Sequence, residues 1–570
     1  MPAHPTAFTP LFEGLDAAAL EAIHRHMRPR HFAARAVICR EGEPGDSLFV
    51  LQRGVAQVTV GPADNPRPVA RLRRGDVFGE MSLITREPRS ATVVANVPTD
   101  ALELTREAFA ALLARYPVIL ENLNRILVRR LAHRTAQQAG AHRGEAVVLV
   151  TTQPALAADV IAAAQSASPR RVAALDLSAA LPQSDIHLEE PTVAGALGVL
   201  DDLLTDHGTV VIVTGPDRED LPLLLEHVDR GVVLAAEPEA GRLASVLGPL
   251  ADRLGIALLT AEPRPAPKAV GGLRVVRALD PARPARDVAW LGRHIARTKL
   301  GLALGAGGAK GYAHVAALYV LEEHGYTVDY VAGSSIGAMV GAWLALGHTA
   351  AEIEAIMRNA FTPENVAAMF KLAMSGMSAG LDVHTRVCRE TTADRTFADL
   401  QIPLVAMAVD LNTRQPAPIA DGPIWQALLA STALAGMFPP YQRDGQRLVD
   451  GLALVPVPVG AVRDAGADVT VAVNIMSRET LPAWPGQASP PPPPPRSGAR
   501  MLDTLLEVMD LSQIDSSIRH AAQADVVITP RFGPGSWRDF HLADLFLAAG
   551  RAAAEEQLAS LRALARPQSA

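Results

Sequence analysis

Val328-Asp329-Tyr330-Val331-Ala332-Gly333-Ser334-Ser335-Ile336-Gly337-Ala338-Met339-Val340-Gly341-Ala342-Trp343-Leu344-Ala345-Leu346 is the stretch on which the fold turns. Residues 328–332 read as a buried strand and 338–346 as an apolar helix. Between them lies a GxSxG sequence, Gly333 to Gly337. In a strand–turn–helix context such a turn holds its central serine in a strained conformation, with glycines beside it because a Cβ there would clash. The helix N-terminus that follows aims positive backbone dipole at negative charge developing near the serine. No Asp, Glu, Lys or Arg occurs between Asp329 and Glu352. That length suffices for a membrane span of ~20 residues. The glycines and serines within it favour a buried elbow instead, so no transmembrane helix is expected.

A second copy of the pattern, Gly376-Met377-Ser378-Ala379-Gly380, follows no strand-like run and precedes no apolar helix. Ser378 is therefore rejected as a nucleophile. Upstream of the elbow, Gly305-Ala306-Gly307-Gly308-Ala309-Lys310-Gly311 joins a strand at 300–304 to a helix at 312–322. Successive N–H groups in such a loop form a concave anion site. Lys310 is followed by Gly311, not Ser or Thr, so this is no Walker A loop. A serine elbow in the next βα unit favours an oxyanion hole. Further on stands Asp450-Gly451.

This order of glycine loop, GxSxG and Asp-Gly resembles the patatin-like phospholipases, from about residue 298 to the C-terminus. The tail, with Ala524-Asp525, Phe540-His541 and Gly550-Arg551-Ala552-Ala553, is also similar to that family. Leu452 departs from it, standing where Gly or Ala is usual. The resemblance implies a Ser335–Asp450 dyad, with the N–H groups of Gly307, Gly308 and Ala309 holding the oxyanion. It implies a serine esterase that cleaves acyl esters of phospholipids or lysophospholipids. Three alternatives stay open at this level. A late histidine, His520 or His541, completes a triad; Asp410, which lacks a following glycine, serves as base; or the hydrolase fold is vestigial and the chain is a nucleotide-responsive scaffold. His314 reads as a packed or capping histidine. Lys310 reads equally as an anion or headgroup contact and as a solvated lysine.

Residues 1–140 show a short helix near 16–27, then brief β-like runs at 36–39, 47–52, 55–60, 69–72 and 91–94, then helical periodicity from 106 to about 139. Short strands at this spacing predict a small barrel or jelly roll with flanking helices. Within it, Gly75-Asp76-Val77-Phe78-Gly79-Glu80-Met81-Ser82-Leu83 and Pro88-Arg89-Ser90-Ala91-Thr92 resemble the phosphate cassette of cyclic-nucleotide-binding domains. The resemblance implies cAMP or cGMP as a regulatory ligand. Arg89 would grip the cyclic phosphate, Glu80 the ribose hydroxyl, and amides near Gly79 and Ser90 would complete the cradle. The alternative is a structural Glu80–Arg89 ion pair in a barrel without ligand. The order of sensor-like and patatin-like units is similar to the neuropathy target esterase group of lysophospholipases.

Residues 145–270 alternate apolar strands with Ala/Leu-rich helices, which predicts a mostly parallel α/β unit. It shows no Walker A, no GxGxxG and no metal-ligand spacing, and reads as a spacer or interaction domain. Residues 271–297 read as a linker into the 298–570 hydrolase unit. A serine and six prolines at 489–495 predict an exposed polyproline II loop within that unit. The 570 residues require several cores. A net charge of −7 argues against nucleic acid, and two distant cysteines argue against a disulfide scaffold. No secretory signal is read at the N-terminus. The expectation is a cytoplasmic protein with peripheral contact to the inner face of the membrane, a lipid acyl ester substrate, and no required cofactor or metal.

Overall fold

Leu48 to Leu51 are apolar on both faces and form the buried centre of a strand in the N-terminal unit. The computed structural model describes residues 9–33, 36–54, 56–61, 67–72, 75–95, 98–127, 144–178, 181, 186, 193–247, 254–260, 269–270, 273–280, 284–369, 380–478, 481, 483–485 and 500–567. Strands β1 (Arg28–Phe32), β2 (Val37–Cys39), β3 (Ser47–Arg53), β4 (Ala56–Val60), β5 (Arg67–Leu72), β6 (Val77–Phe78), β7 (Thr92–Ala95) and β8 (Thr99–Thr105) form two antiparallel sheets. Their orders are β1-β8-β3-β6 and β2-β7-β4-β5. This is the jelly roll that the spacing predicts. β1, β6 and β8 were not read from sequence. β1 is the polar stretch Arg28-Pro29-Arg30-His31-Phe32, an exposed edge with no apolar alternation to reveal it. The long helix expected from 106 breaks after Arg115, because Pro117 cannot continue it.

In the middle unit, β9 (Glu145–Thr151), β10 (Val172–Asp176), β11 (Thr209–Thr214), β12 (Arg230–Ala236), β13 (Leu254–Leu259), β14 (Ala269–Val270) and β15 (Leu273–Leu279) build one sheet in the order β10-β11-β9-β12-β13-β15-β14. Only the β14–β15 pair is antiparallel. The central strands are apolar on both faces because helices cover both.

The described residues of 271–297 are mostly strand and helix, not the expected linker. β15 extends the middle sheet, and the helix Pro284–Ala296 packs on the helix Pro154–Ala167 so closely that a Cβ on Gly292 would lie 2.5 Å from that of Ala163. Buried Arg293 then grips Asp329 through two bonds of 2.9 and 2.6 Å, and Asp329 also accepts the N–H of Leu300. Pro284, one of the prolines that suggest a linker, instead opens this helix.

The C-terminal unit carries β16 (Leu300–Leu304), β17 (Val328–Ser334), β18 (Leu404–Asp410), β19 (Gln415–Ile419), β20 (Tyr441–Arg443), β21 (Gln446–Asp450), β22 (Val469–Val473) and β23 (Val526–Ile528). The order is β20-β21-β18-β17-β16-β22-β23, with β19 also paired to β18. β18, β17, β16, β22 and β23 run parallel, and β21 joins β18 antiparallel. Among the described residues no helix is long and apolar enough to cross a membrane. Ser378 and the proline run at 489–495 lie outside the described residues.

Candidate active site

β17 ends in the elbow. Ser335 sits at φ 56°, ψ −124°, immediately before the helix Ile336–Ala345. A left-handed backbone at a non-glycine residue costs about 1–3 kcal/mol and persists only when its surroundings over-determine it. Here they do. A Cβ on Gly337 would lie 2.2 Å from the Leu304 carbonyl oxygen, so only glycine lets the helix start this close to β16. The Ser335 N–H is fixed at 3.1 Å to the hydroxyl of Ser431.

Strand register brings the carboxylate to the serine. Ser334 pairs with Met407 across β17 and β18, and Ala408 pairs with Asp450 across β18 and β21. The two side chains therefore stand one strand apart at the same level. The Ser335 hydroxyl donates to Asp450 Oδ2 at 2.7 Å, and Asp450 Oδ1 accepts the Leu452 N–H at 2.8 Å. Gly451 allows the turn: a Cβ there would lie 2.5 Å from the Met407 carbonyl oxygen. Asp450 is 3% exposed. Burial pushes its carboxyl up to about 6, against the opposing pull of the Ser335 hydroxyl and the Leu452 N–H.

The glycine loop closes the same space. Gly307 (φ 155°) and Gly308 (φ 57°) line one cavity together with Ser335 and Asp450. Their N–H groups have no acceptor among the described residues. Ala309 departs from the expectation. Its N–H donates to the Trp537 carbonyl at 2.7 Å and is not available to an oxyanion. His314, fully buried, donates from Nε2 to the Gly305 carbonyl at 2.8 Å, and burial holds the ring neutral with its pKa lowered to about 4. It braces the loop.

The cavity wall is apolar: Met339, Phe361, Leu434, Phe438, Met476 and Phe540 border it. Apart from Asp450 no charged side chain among the described residues does so. His384 and Trp537 of this wall escaped the sequence reading, as did Ser431, which holds the Ser335 N–H. Nothing in an apolar helix ending Ala430-Ser431-Thr432 marks the serine as part of a site.

The other candidate bases lie elsewhere. Asp410 accepts hydrogen bonds from the N–H of Asn412, the Thr413 hydroxyl and the N–H of Arg447. Those donors, with the Asn412 N–H foremost, hold its carboxyl below the usual range. His520 bonds the Ser516 carbonyl through Nδ1, and His541 is exposed on a short 3-10 turn. Neither histidine borders the cavity.

In the jelly roll, Gly79 (φ 81°) caps the short helix Glu80–Thr85, and Glu80 and Arg89 are both buried. The Arg89 guanidinium donates to the Gly79 carbonyl at 2.8 Å and the Ser82 hydroxyl at 3.0 Å, with the Ser47 hydroxyl at 3.4 Å. These acceptors are neutral oxygens. Ser90 follows on the exposed surface. The structure thus gathers Gly79, Glu80 and Arg89 in one loop–helix segment with Ser90 at its end.

Residues 302–463 match the family model of patatin-like phospholipases, and residues 29–116 match that of the cyclic nucleotide-binding domain. An uncharacterized NTE family protein of Mycobacterium tuberculosis is 26% identical over 569 residues, covering 96% of this chain and 95% of its own. Patatin-like phospholipase domain-containing protein 7 of Rattus norvegicus is 24% identical over 519 residues, covering 78% of this chain but 38% of its own. A cyclic nucleotide-binding domain from Methylobacillus flagellatus, solved by crystallography, shares 28% identity with a TM-score of 0.22, covering 25% of this chain and 82% of that one. The chain therefore joins a cyclic nucleotide-binding domain to a patatin-like phospholipase domain, the fold of a lipid-acyl hydrolase.

Proposed function

We propose that the protein is a serine esterase that cleaves acyl esters of phospholipids or lysophospholipids through a Ser335–Asp450 dyad. The observation that carries this reading is the direct 2.7 Å hydrogen bond from the Ser335 hydroxyl to a buried carboxylate, in an apolar cavity that also holds two glycine N–H groups without an acceptor among the described residues. Asp450 takes the Ser335 proton as Oγ attacks the ester carbonyl. The tetrahedral oxyanion is held by the N–H groups of Gly307 and Gly308. Collapse expels the alcohol, which receives the proton from Asp450, and leaves an acyl-enzyme. Water, giving its proton to Asp450, attacks the acyl carbonyl, and collapse releases the fatty acid as Asp450 returns that proton to Ser335 Oγ. The apolar wall suits an acyl chain. Substrate of this kind resides in a lipid surface, so the enzyme works in peripheral contact with a membrane.

Gly308→Ala is expected to lower turnover by about 10²–10³-fold, the usual loss for one oxyanion donor. A Cβ at this position would lie 2.3 Å from the Trp537 carbonyl oxygen, so the loop must shift. Single-turnover acylation rates check it.

The cyclic nucleotide-binding domain supports cAMP or cGMP as a regulatory ligand, with the neutral partners of Arg89 leaving its positive charge to the cyclic phosphate. A nucleotide changes activity only if it binds two states of the chain with different affinity. The test is fatty acid release from vesicles of phospholipid and of lysophospholipid, with and without each nucleotide. Release from either lipid, altered by nucleotide in the wild type but not in Arg89→Ala, is the expected result. No release from any acyl ester would remove the esterase reading, and nucleotide-independent rates would remove the regulation.

A further inference from the structure

The last residue of the helix Ile424–Ser431 and the second residue after it bond to the two halves of the dyad. Ser431 is 0% exposed. Its hydroxyl donates to the Met407 carbonyl at 2.6 Å, so its one proton is engaged and its oxygen accepts the Ser335 N–H at 3.1 Å. Two residues on, the Ala433 carbonyl accepts the N–H of Asp450 at 3.0 Å. Between them, the Thr432 hydroxyl donates to the Leu428 carbonyl at 2.6 Å and accepts from His384 Nε2 at 2.7 Å. His384 is buried and stacks on Phe438 at 4.7 Å, which ties this segment to the cavity wall.

The consequence is geometric. Ser335 lies at the end of β17 and Asp450 at the end of β21, with β18 between them. No backbone hydrogen bond joins those two strands directly. The short run 431–433 does so from above, and Met407 of the intervening strand is part of the same network. The main-chain N–H of the nucleophile and that of the acid are thus referred to one rigid tripeptide.

We infer that Ser431-Thr432-Ala433 is a positioning element that sets the distance between the Ser335 hydroxyl and the Asp450 carboxylate, with Ser431 as its decisive residue. This rests on the esterase reading above. Ser431 does not touch the reacting atoms. It acts through Ser335, by holding the elbow N–H and with it the left-handed backbone from which Oγ projects. Misplacement of a reacting group by about 1 Å costs about 10²-fold in rate.

The test compares wild type, Ser431→Ala, Ser431→Cys and Ser431→Thr in full-length protein. A soluble short-chain ester gives kcat and KM, and a fluorophosphonate titrates competent sites. Ser431→Ala is expected to lower kcat per competent site by about 10²-fold with KM unchanged. Ser431→Cys, of similar size but a poor acceptor, behaves like alanine. Ser431→Thr, which keeps the hydroxyl, recovers turnover. The acid limb of kcat/KM also moves to higher pH in the alanine variant, because a misaligned Ser335 hydroxyl no longer draws the Asp450 carboxyl downward. Among the described residues, the other titratable group facing this space is His384, which burial holds neutral with its pKa lowered to about 4. Wild-type kcat and acid limb in Ser431→Ala would overturn the positioning role. So would a loss explained wholly by fewer competent sites, or full turnover in Ser431→Cys. A wild type that neither labels nor hydrolyses overturns the esterase reading and this inference together.

Discussion

Ser335→Ala is expected to reduce acyl-ester hydrolysis by about 10⁴- to 10⁶-fold, the loss seen when a nucleophile that acts as part of a unit is removed. The size follows from the absence of a substitute among the described residues. The Thr432 hydroxyl, which borders the same cavity, is already engaged with Leu428 and His384. Cys388 is fully buried, burial pushes its thiol up to about 12, and it does not border the cavity. Water remains, aided by the glycine N–H groups, and supplies the residual rate. Initial rates on a soluble ester, with the two proteins at matched concentration, check the figure. A variant within tenfold of wild type would contradict it.

Asp450→Asn is expected to lower turnover by orders of magnitude and at the same time stabilise the fold. Loss of the base removes the proton acceptor for Ser335, and about 10³–10⁴-fold in kcat goes with it. The stability effect has the opposite sign because the native carboxylate is buried. Its pKa rises from the model-compound 3.8 to about 6. At low pH both folded and unfolded chains carry a neutral carboxyl and the variant has no advantage. As pH rises from 3.8 toward 6, the unfolded chain ionises first, and the wild type loses stability relative to the permanently neutral amide. Above pH 6 the folded carboxyl ionises too and the difference levels off at about 3 kcal/mol. Denaturant unfolding of the two proteins at pH 4 and pH 8 checks both ends. Equal stability at both pH values would contradict the buried carboxylate.

Much of the site was legible because its chemistry forces local patterns. An elbow requires small residues where a Cβ would meet backbone, and Gly333, Gly337 and Gly451 are glycine for that reason. The flanking strand and helix are apolar because both are covered. The glycine loop was read one residue too far: Ala309 resembles its neighbours in sequence, yet its N–H is taken by a carbonyl more than 200 residues away. Such a long-range partner leaves no local trace. Ser431 escaped for the same reason, since its role comes from the register of strands that are not adjacent in the chain. The false linker at 271–297 shows a different limit. Prolines and arginines around 281–286 suggest an exposed connection, but Pro284 opens a helix and Arg286 donates to the side chain and carbonyl of Gln401. Edge strand β1 was missed because exposed polar strands carry no alternation to read.

Everything in the catalytic reading depends on an ionised carboxylate at position 450 receiving the proton of the hydroxyl at 335. The rate of phosphonylation of that serine by a fluorophosphonate, followed against pH in wild type and Asp450→Asn, addresses this directly. The wild-type rate should rise through a single ionisation near pH 6, and the amide variant should be slower by orders of magnitude with no such step. Equal labelling of the two proteins, or a wild-type rate indifferent to pH across that range, would contradict it.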